Sequence, residues 1–385
     1  MKSTKRRRVA VMLDVYWEKV NTYEGTQEYA AQAGWDCTID PFAARTMQMC
    51  RGAKPYDGII GRAKSDVIYD PGRLSVPVVN LRLNLPSNTF PSVFPDFEAI
   101  GVMGARHLIG RGCRQLGFLG SSAEAATRLM LKGFRSELKT SGLSCSVRRF
   151  KMHNLGREQN WRALTSGLSE WVDTWSTPIG IFSILDLGCH YLIHICRSKG
   201  LHVPRDVSLI GVGDNRVVCE SASPSITSIN PGYVQLGYQA AALLDRLMDG
   251  AAPPDQPILV PPAGLIQRES TDSYAVDDPV VARALRFISE HGHEPITVDD
   301  IARAAVMTRR SLERRFQKIM QRTIGQELLY MRLERSKRRL AETDEPLKQV
   351  AADSGFNSRR SFDRAFISNE GVSPSQYRKE RRAEN

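Results

Sequence analysis

A nine-residue pattern occurs twice in this chain of 385 residues, first as Thr308-Arg309-Arg310-Ser311-Leu312-Glu313-Arg314-Arg315-Phe316 and fifty positions later as Ser358-Arg359-Arg360-Ser361-Phe362-Asp363-Arg364-Ala365-Phe366. In each copy a Ser or Thr stands where a helix N-cap would accept a backbone N–H. Apolar residues follow at i, i+4 spacing, Leu312 with Phe316 and Phe362 with Phe366. One face of each helix is thereby committed to packing. The opposite face carries Arg310 with Arg314, and Arg360 with Arg364, so two guanidinium groups line one exposed stripe. A duplicated helix of this kind restricts the C-terminal part to paired small helical units that face a polyanion.

The charge is distributed to match. The formal net charge is +11, of which residues 1–8 supply +5 and residues 279–385, with 22 Lys/Arg against 15 Asp/Glu, supply +7. The 270 residues between them are close to neutral. A basic unit on a near-neutral body reads as a nucleic-acid-binding module joined to something with another task. The seven cysteines are scattered and never spaced Cys-x-x-Cys, which points to reduced thiols rather than a disulfide framework or a zinc site. Behind the basic Met1–Arg8, the apolar run Val9 to Leu13 is too short for a signal peptide, and no later run approaches membrane-spanning length. The expected location is the cytoplasm, with no membrane partner.

From Arg8 to about residue 260, short apolar runs alternate with longer amphipathic segments. The runs are Val9–Leu13, Gly58–Ile60, Val76–Leu81, Leu116–Leu119, Ile179–Ser183 and Val207–Val212, and the helix-like stretches are 23–33, 96–110, 128–141, 187–199 and 232–249. This alternation predicts parallel sheets covered by helices, with ligand chemistry at the C-terminal ends of the strands. Two halves divided near residue 120 would leave a cleft between lobes. Polar groups cluster just after the strands: Asp14, Tyr16 and Trp17 after the first, Arg62 after Gly61, Asp186 after the fifth, and Asp214 with Asn215 after the sixth. Carboxylates, amides and guanidinium groups can pair with vicinal hydroxyls while an aromatic ring covers the apolar face of a sugar. Taken singly, each Asp is more often a cap or a turn residue.

The segments Phe94-Pro95-Asp96-Phe97, Gly104 to Gly112, Leu116 to Gly120, Gly133 to Leu138 and Val203 to Asn215 resemble the LacI/GalR-type periplasmic-binding-protein fold. The resemblance implies that Asp96, Asp186 and Asp214 lie at or beside an effector cleft, and that the effector is a sugar or similar metabolite. That family's N-terminal DNA-binding helices are missing, because the first strand is expected almost at Met1. A departure occurs three residues before Gly133: where the family commonly has an effector-binding arginine this chain has Met130, with Arg128 two places earlier. A relocated arginine or a less polar effector both fit.

The segment 266–279, rich in Ser, Asp and Thr, reads as a linker between a sensor at 1–265 and a helical domain at 280–385. Within that domain, Thr297-Val298-Asp299-Asp300 opens a helix, Val306-Met307 is a turn, and the first Arg-rich helix follows over 309–319. A helix from Gln326 to about Glu342 connects to the second copy, with its turn at Gly355-Phe356 and a closing Pro374-Ser375-Gln376-Tyr377-Arg378. This ordering resembles the AraC/XylS family. The fold class expected for the whole chain is therefore an α/β two-lobed periplasmic-binding-protein-like domain followed by an all-α domain with two helix-turn-helix motifs. A connecting helix of about 17 residues spans about 25 Å, the right order for holding two recognition helices one DNA turn, about 34 Å, apart.

Arg310, Arg314, Arg360 and Arg364 are the base-reading candidates, because arginine best meets guanine O6 and N7 together. Arg309, Arg359 and Lys318 read as phosphate contacts, which position without choosing sequence. Glu313 and Asp363 occupy equivalent places and are expected to orient arginines by ion pairing, the alternative being that they accept from cytosine N4. His190 with His194, and His291-Gly292-His293-Glu294, have metal-like spacing but lack a further ligand, so no metal and no cofactor is expected. No nucleophile–base pair or phosphate loop points to an enzyme, and the basic repeat argues against a transport solute-binding protein.

The order of domains resembles sugar-responsive bacterial regulators that place a LacI-like sensor before an AraC-type domain. That resemblance implies a transcription regulator, and an activator that engages RNA polymerase. It also implies a homodimer on double-stranded DNA with tandem half-sites, responding to a sugar such as xylose or another pentose. Response to a non-pentose metabolite, or to no small molecule, is the alternative.

Overall fold

The computed structural model describes residues 6–12, 20–50, 54–61, 76–83, 90–121, 125–150, 158–272, 278–320 and 322–383. In chain order the sensor begins β1 (Arg8–Met12), α1 (Val20–Ala33), β2 (Asp36–Ile39), α2 (Ala43–Met49), β3 (Gly58–Gly61), β4 (Val78–Asn80), β5 (Val93–Pro95), α3 (Phe97–Gly110), β6 (Gln115–Ser121) and α4 (Ala125–Thr140). It continues β7 (Ser146–Phe150), α5 (Glu158–Asp173), β8 (Ile179–Ser183), α6 (Asp186–Ser198), β9 (Val207–Val212), α7 (Arg216–Ser221), β10 (Thr227–Asn230), α8 (Tyr233–Met248), β11 (Ile258–Val260) and β12 (Gly264–Ile266). The six apolar runs become β1, β3, β4, β6, β8 and β9. The remaining strands are short or polar, as in β7, where Arg148 and Arg149 are tolerated because that strand is an edge.

Two sheets result, ordered β2-β1-β3-β4 and β12-β10-β9-β8-β6-β7, all parallel except β12 on β10. The strands β8 and β9 are buried along their whole length, as a parallel sheet covered on both faces requires. The chain leaves the first lobe after β5, returns for α8 and β11, and crosses again to β12, with β5 and β11 paired in parallel at the crossing. The lobes therefore divide near residue 95, not near 120. The helix α3 packs on α4 and on β8 and β10, which assigns it to the second lobe although it precedes β6.

Each lobe has one helix pair in backbone contact. A Cβ on Gly101 would lie 2.0 Å from the Met130 carbonyl oxygen, and one on Gly133 would lie 2.0 Å from that of Glu98. In the first lobe the corresponding approaches are Gly25 to Val234 O, 1.8 Å, and Gly237 to Thr22 O, 1.9 Å. Only glycine permits these crossings.

The stretch expected as a linker is stitched to the sensor as far as Thr271. Gly264–Ile266 pairs with β10. Ser270 Oγ donates to the Leu209 carbonyl at 2.6 Å and accepts from Thr227 N–H at 2.9 Å, and Ser270 and Thr271 are fully buried. The polar composition that reads as a loop is here a set of hydrogen-bonded side chains holding a chain end to a sheet.

The C-terminal domain comprises α9 (Pro279–His291), α10 (Val298–Ala304), α11 (Arg309–Met320), α12 (Ile324–Glu342), α13 (Leu347–Asp353), α14 (Arg359–Glu370) and α15 (Pro374–Ala383). Side chains cap the starts: Asp278 on α9, Thr297 with Asp300 on α10, Thr323 with Gln326 on α12, and Ser358 with Ser361 on α14. The helix α12 is shared. Its Ile324 and Leu328 join Leu312 and Phe316 in one core, while its Leu333 and Leu340 join Phe362 and Phe366 in another. At 19 residues it is about 28 Å long.

The two helix-turn-helix units turn in the same way but with different residues. Val306 N–H donates to Arg303 O and Met307 N–H to Ala302 O, just as Gly355 N–H donates to Ala352 O and Phe356 N–H to Ala351 O. Both turn residues are left-handed, Gly355 at φ 85 and Val306 at φ 55. A β-branched residue there costs about 1–2 kcal/mol. Val306→Gly is therefore expected to stabilise the domain by about 1 kcal/mol after glycine's entropic cost, read as a higher denaturation midpoint for the C-terminal transition. A lower midpoint would mean that the exposed valine contributes contacts that outweigh the strain.

Candidate nucleic-acid interface and effector cleft

On α11 and α14, Leu312, Phe316, Phe362 and Phe366 are wholly buried, which turns the opposite faces to solvent. Arg310, Arg314, Arg360 and Arg364 are exposed, and among the described residues none of the four has an ion pair. The neighbouring arginines are held. Arg309 Nε donates to Glu313 Oε1 at 2.9 Å and its Nη1 lies 3.3 Å from Asp299, while Arg359 Nε lies 2.9 Å from both Asp363 oxygens. Glu313 and Asp363 thus pair with the phosphate-contact candidates and leave the base-reading candidates free to extend. Lys318 is exposed one turn beyond Arg314. Gln317 and Ile367 complete the two stripes at i+7 from Arg310 and Arg360, both exposed and both missed when only arginines are sought.

Of the expected cleft residues, Asp14, Tyr16, Trp17 and Arg62 lie outside the described residues. The acids of the second lobe are placed differently from expectation. Asp186 is 3% exposed: Ser228 Oγ–H donates to its Oδ1 at 2.5 Å and Asn215 N–H to its Oδ2 at 2.9 Å. It braces β10 against the turn after β9. Asp214 forms an ion pair with Arg268 at 2.8 Å, and Arg268 also donates to Ile226 O. Asn215 caps α7 through Val218 N–H, and Asp96 caps α3 through Ala99 N–H. Met130 is in the core of the second lobe, while Arg128, two residues away and so on another face of α4, is exposed. The arginine that replaces it in sequence does not replace it in space.

Burial pushes the Asp186 carboxyl above its ordinary range, against the hydrogen bonds from Ser228 and Asn215 that favour the ionised form. A carboxyl with a raised folded pKa costs stability that appears as pH climbs past the unfolded value of 3.8 and is complete above the folded value. Asp186→Asn is accordingly expected to gain in sensor melting temperature relative to the parent as pH rises from 4 to 7. A pH-independent difference would show that the hydrogen bonds, not the charge, dominate.

The two domains touch where α3 ends. Arg322 donates to the Gly110 carbonyl and pairs with the fully buried Glu327, and Arg114 Nη2 donates to Ile319 O at 2.8 Å. The Arg322 guanidinium lies over the Tyr330 ring, 5.3 Å from its centroid. Beside this contact runs a groove of about 1180 Å³ bordered by Asp96, His107, Asp214, Tyr330, Lys337 and Glu370. Two expected ligand acids therefore border the space between sensor and helical domain. Nothing local in the sequence marks the Arg268 pair with Asp214, 54 residues away, or the Arg322 contact with Gly110, 212 residues away.

His190 and His194 approach to 3.3 Å between ring nitrogens, but among the described residues no group of three side chains could hold a metal ion. Among them, too, no helix is long and apolar enough to cross a membrane.

A periplasmic binding protein-like domain family matches residues 105–271, and a helix-turn-helix domain family matches residues 301–380. The chain is 28% identical to the xylose operon regulatory protein of Escherichia coli strain K12 over 397 aligned positions, covering 97% of each. A solved structure of the xylose-binding transcription activator xylR is similar over 98% of both chains, with 24% identity and a TM-score of 0.60. The sensor region also resembles a periplasmic binding protein/LacI transcriptional regulator from Alkaliphilus metalliredigens complexed with D-xylulofuranose, at 22% identity over 70% of this chain and 100% of that one, with a TM-score of 0.55.

Proposed function

From the premise that this chain is a transcription regulator, with a periplasmic-binding-protein-like sensor set before an AraC-type helix-turn-helix domain as in the xylose operon regulators, we propose that it activates sugar-catabolism genes in response to a pentose. The observation that carries the DNA reading is the division of labour among the arginines. Four exposed guanidinium groups, without acidic partners among the described residues, stand on two equivalent helices, each flanked by an arginine tied to its own carboxylate. Arg310, Arg314, Arg360 and Arg364 read bases in two successive major grooves, while Arg309, Arg359 and Lys318 hold phosphates. The protein works in the cytoplasm as a homodimer on tandem half-sites and recruits RNA polymerase.

The pentose binds between the lobes, with Asp14, Tyr16 and Trp17, which follow β1 in the sequence, and Arg62, which follows β3, among its contacts. Asp186, Asp214 and Asn215 shape the opposite wall, and Asp96 stands at the lobe crossing. Closure of the lobes is a population shift that changes the presentation of the DNA-binding domains. Thermal shift and calorimetry against pentoses, hexoses and sugar acids test this. A pentose at a hundred times its Kd should raise the sensor's melting temperature by about 5–10 °C. A flat response across sugars would remove the pentose reading. Met130 favours a second reading, a less polar effector than a pentose, because a thioether in a packed core offers no charged hydrogen bond.

A further inference from the structure

Ile367 is an exposed large hydrophobic residue, 47% accessible, on the helix that carries Arg360 and Arg364. Its place on the helix is what sets it apart from the other exposed large hydrophobic residues. The packing needs of α14 are met by Phe362 and Phe366, both wholly buried, and the flanking Ser368 and Asn369 are polar and exposed. At about 100° per residue, positions 360, 364 and 367 fall within roughly 60° of one another, centred opposite the buried phenylalanines. With Asp363 they form an i, i+3, i+4, i+7 set spanning about 10 Å, the spacing with which a single helix reads base edges along a major groove. In the other repeat the matching position is the polar Gln317. The apolar side chain is thus a property of the second helix alone.

We infer that Ile367 is a specificity-determining residue that packs on the 5-methyl group of a thymine in the groove segment read by α14. The chemistry is selective. Thymine is the one base that presents an apolar group in the major groove, and a branched aliphatic side chain beside two arginines can discriminate in favour of it and against cytosine, whose edge there offers a donor. Gln317, by contrast, suits the paired donor and acceptor of adenine. The two groove segments read by one chain should therefore differ at this position, which would fix the direction in which each chain lies on DNA.

The inference rests on α14 entering the groove, so the test separates the two ideas. The preferred duplex is first selected from random sequence with the full-length protein, and each thymine is then replaced singly by deoxyuridine, which removes only the methyl group. For the parent protein one replacement in one half-site should weaken binding roughly three- to five-fold, the worth of one buried methyl-sized group. Ile367→Ala, which keeps the helix because alanine is a better helix former, should bind the thymine duplex as weakly and lose nothing further on deoxyuridine. Ile367→Val should retain most of the effect. If the parent binds every deoxyuridine duplex equally well, or the selected site has no thymine there, the inference fails. Arg364→Ala in the same assay reports on the premise: unchanged affinity for both selected and random DNA would remove α14 from the groove altogether, and both ideas with it.

Discussion

Arg364→Ala is expected to lower affinity for the preferred DNA site by about 1–3 kcal/mol and to relax specificity at the base pairs it faces, with Arg314→Ala behaving alike. Both side chains stand directly opposite the buried Phe362 and Phe366, or Leu312 and Phe316, so each projects from the solvent face of its helix. Neither is engaged by an acid among the described residues. Each can therefore offer both prongs of the guanidinium to one guanine, an arrangement lysine cannot reproduce. Competition binding to the preferred duplex and to single-base variants checks this. Arg309→Ala and Arg359→Ala supply the contrast. They should weaken binding evenly across sequences and reduce the salt slope by about one. Equal weakening of Arg364→Ala on preferred and random DNA would reassign that residue to the backbone.

Arg322→Ala is expected to destabilise the C-terminal domain by about 3 kcal/mol, because it takes the ion pair from a carboxylate, Glu327, that is wholly inside the protein. Chemical denaturation of the full chain measures this. Arg322→Lys should recover only part of the loss, since an ammonium keeps the charge beside Glu327 but has no planar face to lie over the Tyr330 ring. Replacing Glu327 by Met in the Arg322→Ala background should restore stability by leaving no charge to bury. Undiminished stability of Arg322→Ala would mean that other groups hold Glu327.

The same substitution should also weaken the influence of effector on DNA affinity. Gly110 ends α3, a rod of 14 residues, about 21 Å, whose start is capped by Asp96 at the lobe crossing. Arg322 is thus attached to the far end of an element anchored where the chain crosses between the lobes. Comparing DNA affinity with and without effector for the parent and for Arg322→Ala reads the coupling directly, and identical ratios would place the coupling elsewhere.

Much of this architecture was legible because it rests on local rules. Buried parallel strands such as Ile179–Ser183 announce themselves as unbroken apolar runs, and the paired phenylalanines of α14 disclose their helix by i, i+4 spacing. The cap at Ser358 was readable for the same reason, its partner being three residues away. The second-lobe acids were harder. Asp186, Asp214 and Asn215 sit after strands, as ligand residues do. Yet Asp186 is enclosed by Ser228 and by the Asn215 backbone, and Asp214 is taken by Arg268 from a segment whose composition reads as linker.

What the sequence by itself determined was therefore the duplicated reading head, the two-lobed α/β body before it and the order of the two. Each follows from periodicity and from residues within a few positions of one another. Only the tertiary structure decided where the lobes divide, how far the sensor extends, which arginines are held and which are free, and that Arg322 fastens the DNA-binding domain to α3. Those outcomes depend on pairings between residues tens to hundreds of positions apart, which are set by how helices and sheets stack and leave no periodic trace in the chain.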